Sequence, residues 1–242
     1  MKLIKLDAID STNDFLKGLS NNQSIENFTV VTAESQTKGK GQMGSVWVSE
    51  KGKNLTMSVL VNDYLSDISA VFDINIAVSI SIIQVLKDLH IPKLSIKWPN
   101  DIMSYNKKIG GILIENSIKS NGTIHSIVGI GLNINQTDFT NLPKASSLAK
   151  ICSTTFDKEK ILLMIVEKLK QNIQFWNVNA ISMWAKYSDN LFKKGIPMTF
   201  LDKNEKYFMG IIQGVSTIGK LEVLLENDSV SDFDIKEIQM LY

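Results

Sequence analysis

Cysteine is nearly absent from this sequence, Cys152 being the only one. No internal disulfide can form and a cysteine-rich metal site is excluded, which leaves Cys152 the role of a small buried apolar residue. Histidine is scarce as well. His90 ends a helical pattern and His125 sits inside a strand pattern, so neither is placed for acid–base catalysis. An excess of charge is missing: 26 basic residues face 25 acidic ones, a formal charge of +1, so no bulk attraction to nucleic acid or an anionic membrane is built in. Any phosphate binding must be local. Long apolar runs are missing too. The most apolar stretch, ILLMIV at 161–166, passes at once into EKLK, far short of the roughly 20 residues that span a bilayer. The opening MKLIKLDAIDSTND carries charge at Lys2, Lys5 and Asp7 and holds no signal-peptide core. The expectation is a cytoplasmic protein without membrane or nucleic-acid partners.

What is present is an ordinary globular composition, 242 residues with 44% hydrophobic and 21% charged, enough for one large domain and a small appendage. LIKLDAI (3–9), FTVVTA (28–33) and NLTMSVLV (54–61) read as strands, and STND offers a helix start with Ser11 or Thr12 as cap. Apolar residues recur at helical spacing from Asp67 to His90, where Pro92 closes the pattern. LSIKW (94–98), IMSY (102–105), IGGILIEN (109–116) and TIHSIVGIGLNI (123–134) are strands separated by PND, NKK and SNG turns. Two further helical patterns run from Asp157 to Trp176 and from Ala180 to Phe192. The reading is a mixed α+β sheet. After Gly195 come four or five short strands at intervals of about eight to twelve residues, the texture of a small barrel. A domain boundary near Lys194 divides 1–194 from 195–242.

TKGKGQMGSVW, Thr37 to Trp47, spells GxGxxGxV, the written form of a kinase loop and, in part, of a dinucleotide-binding turn. A kinase would need VAIK, HRD and DFG elements, and none is present. A dinucleotide fingerprint needs a helix opening at the third glycine, whereas Gly44 leads toward a strand; the P-loop form fails because Ser45 and Val46 follow. What remains is a strand, a loop with three glycines and two lysines, and another strand. Gly39, Gly41 and Gly44 favour a mobile lid whose backbone N–H groups can approach an anion, with Trp47 as an aromatic surface at its far end.

KWPNDI, Lys97 to Ile102, sits where a strand ends. Pro99 imposes an extended local backbone and lacks an N–H, so Lys97, Asn100 and Asp101 are expected on display at a strand edge. The return strand brings Lys108 beside Asp101, while Gly110 and Gly111 leave bare backbone for a flat ligand. GIGLNIN (129–135) adds two glycines and Asn133.

DSTND at 10–14, SQTKGKGQMGSVW, KWPND, KKIGGILIE and GIGLNIN, in this order, resemble the biotin protein ligase family over nearly the whole chain. The resemblance implies a class II synthetase-like catalytic domain followed by an SH3-like C-terminal domain. With the DST segment beginning at residue 10, it implies the short type without DNA binding. The implied reaction joins biotin and ATP as biotinyl-5′-AMP and passes the acyl group to a lysine of a biotin carboxyl carrier protein, the partner in a biotin-dependent carboxylase. Its first step brings a carboxylate against a polyanion, so cations are required; a lysine about 4 Å from such a charge contributes on the order of 4 kcal/mol at an effective dielectric of 20. By resemblance, Ser11, Thr12, Asn13 and Gln36 line the biotin end. Gly39, Lys40, Gly41 and Gln42 form the lid over the acyl-adenylate, and Trp47 packs near the adenine. Lys108 bridges the biotin carboxylate and the α-phosphate, Gly111 gives backbone contact to biotin, Asn133 contacts the nucleotide, and Asn100 with Asp101 holds phosphate and Mg2+. Lys97 is open between a site and a structural role. Family lids often read GRGRxG; this chain has Lys40 and Gln42 there, keeping one charge without its fork and losing the other. A lipoate or octanoate ligase or transferase, and a non-enzymatic interaction protein, are the alternative readings. A monomer and a homodimer are equally compatible.

Overall fold

A computed structural model describes residues 1–62, 64, 71–119 and 122–242. Seven strands form the first sheet: β1 Leu3–Ile9, β2 Val30–Gln36, β3 Leu55–Asn62, β4 Leu94–Lys97, β5 Asp101–Ser104, β6 Lys107–Ile118 and β7 Ile124–Leu132. Their spatial order is β1-β2-β3-β7-β6-β5-β4. Only β1 and β2 run parallel, and every other neighbouring pair in this sheet is antiparallel. The sheet is therefore mixed, as the alternating segments lead one to expect.

Alternation along the strands decides which side each residue faces. Val30, Met57, Val59, Val128 and Ile130 join the large core with α2 (Val71–Asp88), α4 (Lys158–Gln174) and α5 (Trp176–Asp189). Val31, Leu60 and Ile127 face the other way and pack with Leu16 of α1, Thr12–Asn22. Of the helical pattern from Asp67 to His90, residues 67–70 lie outside the described residues, and the helix runs from Val71 to Asp88. Its twelve buried residues explain why its apolar positions spread around the circumference. Ser120 and Asn121 of the SNG turn also lie outside the described residues. The helical patterns after Asp157 become α4 and α5, parted only by Phe175, and α5 begins four residues before the expected Ala180. A short α3, Leu148–Cys152, has no counterpart in the sequence reading.

The second sheet contains β8 Pro197–Asp202, β9 Tyr207–Val215, β10 Leu221–Leu225, β11 Val230–Phe233 and β12 Ile238–Leu241. It is antiparallel in the order β11-β10-β9-β8-β12. It is joined to the first sheet by side chains: Trp98 Nε1 donates to the Gly219 carbonyl at 2.8 Å, and Phe192 meets Tyr242 edge-on with centroids 5.0 Å apart. Gly219 has φ +87°, and a Cβ on it would lie 2.5 Å from the Phe72 ring, so the turn both requires glycine's freedom and seats a helix against it.

Candidate active site

The α1 face of the first sheet carries a row of registered residues with two glycines at its centre. Thr56 of β3 pairs with Gly131 of β7, Gly131 with Gly111 of β6, Gly111 with Asp101 of β5, and Asp101 with Lys97 of β4. One register step along, Ser58, Gly129 and Leu113 form a second row. Residues opposite one another in antiparallel strands share a face, so both rows form a shallow floor. Over that floor lies a cleft of about 360 Å³, walled by the start of α1, the glycine loop and the segment Ile235–Lys236 of the second sheet unit.

At one end the lining is neutral and hydrogen-bonding. Ser11 caps α1 by accepting from Asp14 N–H, which turns Thr12 and Asn13 inward, where both are buried. Gln36 Oε1, at the end of β2, accepts from Thr12 N–H at 2.8 Å and Thr12 Oγ1 at 3.0 Å. Ser58 Oγ lies 2.8 Å from Thr12 Oγ1 and 2.6 Å from Asn13 Oδ1, while Asn13 Nδ2 donates to Glu115 at 2.8 Å. A Cβ on Gly129 would fall 2.5 Å from Asn13 Oδ1, so the floor glycine lets this network sit on the sheet.

The other end is charged. Lys108 Nζ is 2.6 Å from Asp101 Oδ1, and Lys97 Nζ is 3.6 Å from Asp101 Oδ2, so one carboxylate stands between two ammonium groups. The pairing of Lys108 with Asp101 is the expected one. The display of KWPND is not: Lys97 and Asp101 are ladder partners, and Trp98, Pro99 and Asn100 form the turn between β4 and β5, with a cis Trp98–Pro99 peptide. A four-residue strand on each side is short enough for the turn to pull both charged ends into the sheet. Asn100 lines the cleft but spends its amide on the Ile112 carbonyl at 2.5 Å.

The lid is a small hairpin. Lys40 bridges Val46, Gly41 N–H donates to the Ser45 carbonyl at 2.8 Å, and Trp47 N–H to the Gly39 carbonyl at 2.9 Å. A 3-10 turn, Gln42–Gly44, closes it, with Met43 at φ 51° and Gly44 at φ +81°. Trp47 reaches the floor: a Cβ on Gly131 would lie 2.5 Å from its ring, and Lys108 Nζ is 5.7 Å from the ring centroid. Both lid lysines are tied to α1's start. Lys38 pairs with Asp10 at 3.2 Å and Lys40 with Asp14 at 2.6 Å. Asp14 beside it raises the Lys40 pKa above the usual lysine value, while the hydrogen bond from Lys38, then that from Thr37, lowers the Asp10 carboxyl below its own.

Ser11, Thr12, Asn13, Gln36, Lys40, Gly41, Gln42, Trp47, Asn100, Asp101, Lys108 and Gly111 are thus brought to one cleft. Gly39 is buried at the lid's base, where a Cβ would meet the Trp47 carbonyl, so it shapes the hairpin and does not line the cleft. Asn133 stands apart. It is buried just beyond β7 and its amide donates to the Ser146 carbonyl at 3.0 Å, holding the segment that runs beneath Lys108. Lys236 has no signal in the sequence, yet its Nζ donates to the Met43 carbonyl at 2.7 Å and it lines the cleft from the second sheet.

Among the described residues Asp101 is the one carboxylate lining the cleft, and both its oxygens face ammonium groups. Among the described residues no cluster of three His, Cys, Asp or Glu could hold a metal. The donor set does not fit a protein-held metal at Asp101, which acts here as the partner of two lysines. None of the 26 basic residues is arginine, so every cation near the cleft is a point charge on a flexible stem. No helix of the described residues is long and apolar enough to cross a membrane.

A floor with glycines at its centre, hydrogen-bonding groups at one end, lysines at the other and a hairpin cover fit an enzyme of the ligase kind. Residues 6–135, more than half of the 242-residue chain, match the Biotin/lipoate A/B protein ligase family, and the chain belongs to that family. It is 27% identical over 231 residues to the bifunctional ligase/repressor BirA of Salmonella typhimurium, covering 93% of this chain and 69% of that protein. To BirA of Bacillus subtilis it is 29% identical over 194 residues, covering 77% of this chain and 59% of that protein. The biotin protein ligase of Aquifex aeolicus, solved in complex with biotin and ATP, has the same fold at a TM-score of 0.81 and 25% identity, covering 99% of this chain and 98% of that one.

Proposed function

We propose that this chain activates biotin with ATP to biotinyl-5′-AMP and transfers the biotinyl group to a lysine of a biotin carboxyl carrier protein. The observation that carries the reading is the Lys108–Asp101 pair at the charged end of a glycine-floored cleft, in a chain of this family. Ser11, Thr12, Asn13 and Gln36 supply the donors and acceptors that a ureido ring needs. Gly111 and Gly131 let flat groups lie on the backbone, and Trp47 covers them. Lys108 stands where the carboxylate and the α-phosphate meet, neutralising charge that develops as the new bond forms. Lys40 and Gln42 bring the lid over the product anhydride and keep water from it. Mg2+ would come with the triphosphate and supply positive charge there, since the residues around Asp101 offer it no protein cage. Residues 195–242 act as an SH3-like domain whose Ile235–Lys236 turn completes the cleft wall.

The test is transfer of labelled biotin to a carrier domain in the presence of ATP and magnesium; labelling with lipoate in place of biotin would move the chain to the other branch of its family. Lys108→Ala is expected to lower biotin-dependent pyrophosphate exchange by about 10²–10³, the usual loss for a charge-stabilising group. Its unfolding midpoint should move little, because the lysine of the pair is 35% exposed, Asp101 keeps Lys97 as a partner, and a pair of this kind contributes about 0–1 kcal/mol. Near-parental exchange would remove Lys108 from this role.

A further inference from the structure

Beside the cleft, and sharing Ile235 and Lys236 with it, a groove of about 520 Å³ lies between the two sheets; Lys97, Lys144 and Tyr242 are among the residues lining it. Tyr242 follows β12, so it belongs to the second sheet unit, yet its ring lies among the cations of the first. Lys144 Nζ is 4.5 Å from the ring centroid and Lys97 Nζ is 5.6 Å from it. Phe192 holds the ring from a third side at an interplanar angle of 71°. Burial, then the nearby Asp101 charge, raises the phenol pKa, which agrees with a ring packed close behind that carboxylate. The Lys144 carbonyl in turn accepts Lys108 N–H at 2.8 Å, so the segments bearing these lysines are tied together.

We propose that Tyr242 is a positioning residue for Lys108, acting through Lys97 and Asp101. Two ammonium groups, Lys97 and Lys108, share one carboxylate, and their mutual repulsion would push Lys97 off Asp101. The electron-rich face of Tyr242 attracts Lys97 and Lys144, which steadies Lys97 against Asp101 Oδ2. With Oδ2 engaged, Asp101 offers Lys108 only Oδ1, and the Lys108 ammonium stays on the cleft side. Without the ring, Lys97 swings into the groove, the carboxylate turns both oxygens on Lys108, and the lysine is drawn back from the substrates' charges. Because Lys108 acts in the transition state, the loss falls on kcat and spares KM. The proposal rests on the role given to Lys108 above.

Pyrophosphate exchange by the full chain, at saturating biotin and ATP, is the test. Tyr242→Leu keeps an apolar side chain, though a smaller one, and removes the ring's quadrupole; it should lower kcat about two- to fivefold, with each KM within about twofold of the parent. Tyr242→Phe should keep the parental kcat. Lys97→Gln should match the Tyr242→Leu loss, Lys97→Arg should restore most of it, and the Lys97→Gln/Tyr242→Leu double variant should lose nothing more, since the two act on one path. Parental kcat in Tyr242→Leu overturns the proposal, as does a double variant whose loss is the product of the singles. Should Tyr242→Leu fail to fold, Lys97→Gln in the Tyr242→Phe background replaces it, and parental kcat there has the same force. Lys108→Ala keeps the two readings apart: an inactive Lys108→Ala beside a fully active Tyr242→Leu overturns this proposal alone.

Discussion

Gln42→Arg tests whether the lid of this chain is a weak clamp. Gln42 opens the 3-10 turn, its carbonyl accepts from Ser45 N–H at 3.1 Å and Ser45 Oγ at 2.7 Å, and the residue lines the cleft. The backbone is thus fixed by its own turn, and the side chain is free to follow a ligand. A neutral amide contributes about 1 kcal/mol in a hydrogen bond and a charge-assisted one roughly 1.5–3, so an arginine here should add about 0.5–2 kcal/mol of hold on a phosphodiester. That corresponds to release of biotinyl-AMP slowed about two- to thirtyfold. Two features of the structure favour the lower half of that range. Lys236 Nζ sits on the neighbouring Met43 carbonyl and repels a new cation, and the guanidinium can also reach Asp14, 2.6 Å from Lys40, and be held there. The assay is preformation of biotinyl-AMP on both proteins and measurement of its escape without acceptor. Escape as fast from the arginine variant as from the parent would refute the idea that Gln42 weakens the clamp.

Asp14→Asn releases Lys40 from its partner; the exposed pair contributes up to about 1 kcal/mol, so adenylate escape should slow by up to about fivefold, against a loss of a few tenths of a kcal/mol in α1. Faster escape would mean that Lys40 does not reach the phosphate. Gly110→Ala should destabilise the fold by about 1–3 kcal/mol, because its Cβ would lie 2.3 Å from Leu132 Cδ2 and 2.9 Å from the Gly131 carbonyl, and the latter belongs to a paired strand that cannot yield. A urea midpoint equal to the parent's would show that the sheet opens more readily than this geometry allows.

Much of the architecture is legible in the sequence because it is written in short-range periodicity. Alternation marks β1, β3 and β7, Ser11 signals the start of α1, and apolar spacing marks α2 and α4 with errors of a few residues at their ends. The strand run after Gly195 is legible for the same reason. The grouping of DSTND, the glycine lid, KWPND, KKIGG and GIGLNIN is legible only as five motifs in a familiar order. Nothing local to any of them says that they meet.

That they meet is decided by strand register. Thr56, Gly131, Gly111, Asp101 and Lys97 come from five separate strands, and the order β3-β7-β6-β5-β4 places them in one row. A slip of one residue in any pair would turn that strand's contribution to the opposite face. The same dependence explains the residues that the sequence misleads on or leaves silent. Asn133 belongs to a motif of the family, but its position beyond the end of β7 aims its amide at Ser146. Asp101 has the residue type of a metal ligand, but β4 and β6 flank it and present a lysine to each of its oxygens. Lys236 and Tyr242 carry no motif, and they enter the site's surroundings because the second sheet docks on Trp98, Phe72 and Phe192. The sequence determined the elements and the chemistry available to them, since propensity and periodicity act over a few residues. The tertiary structure alone decided which charges face each other, since an ion pair depends on distances across strands that no local pattern encodes.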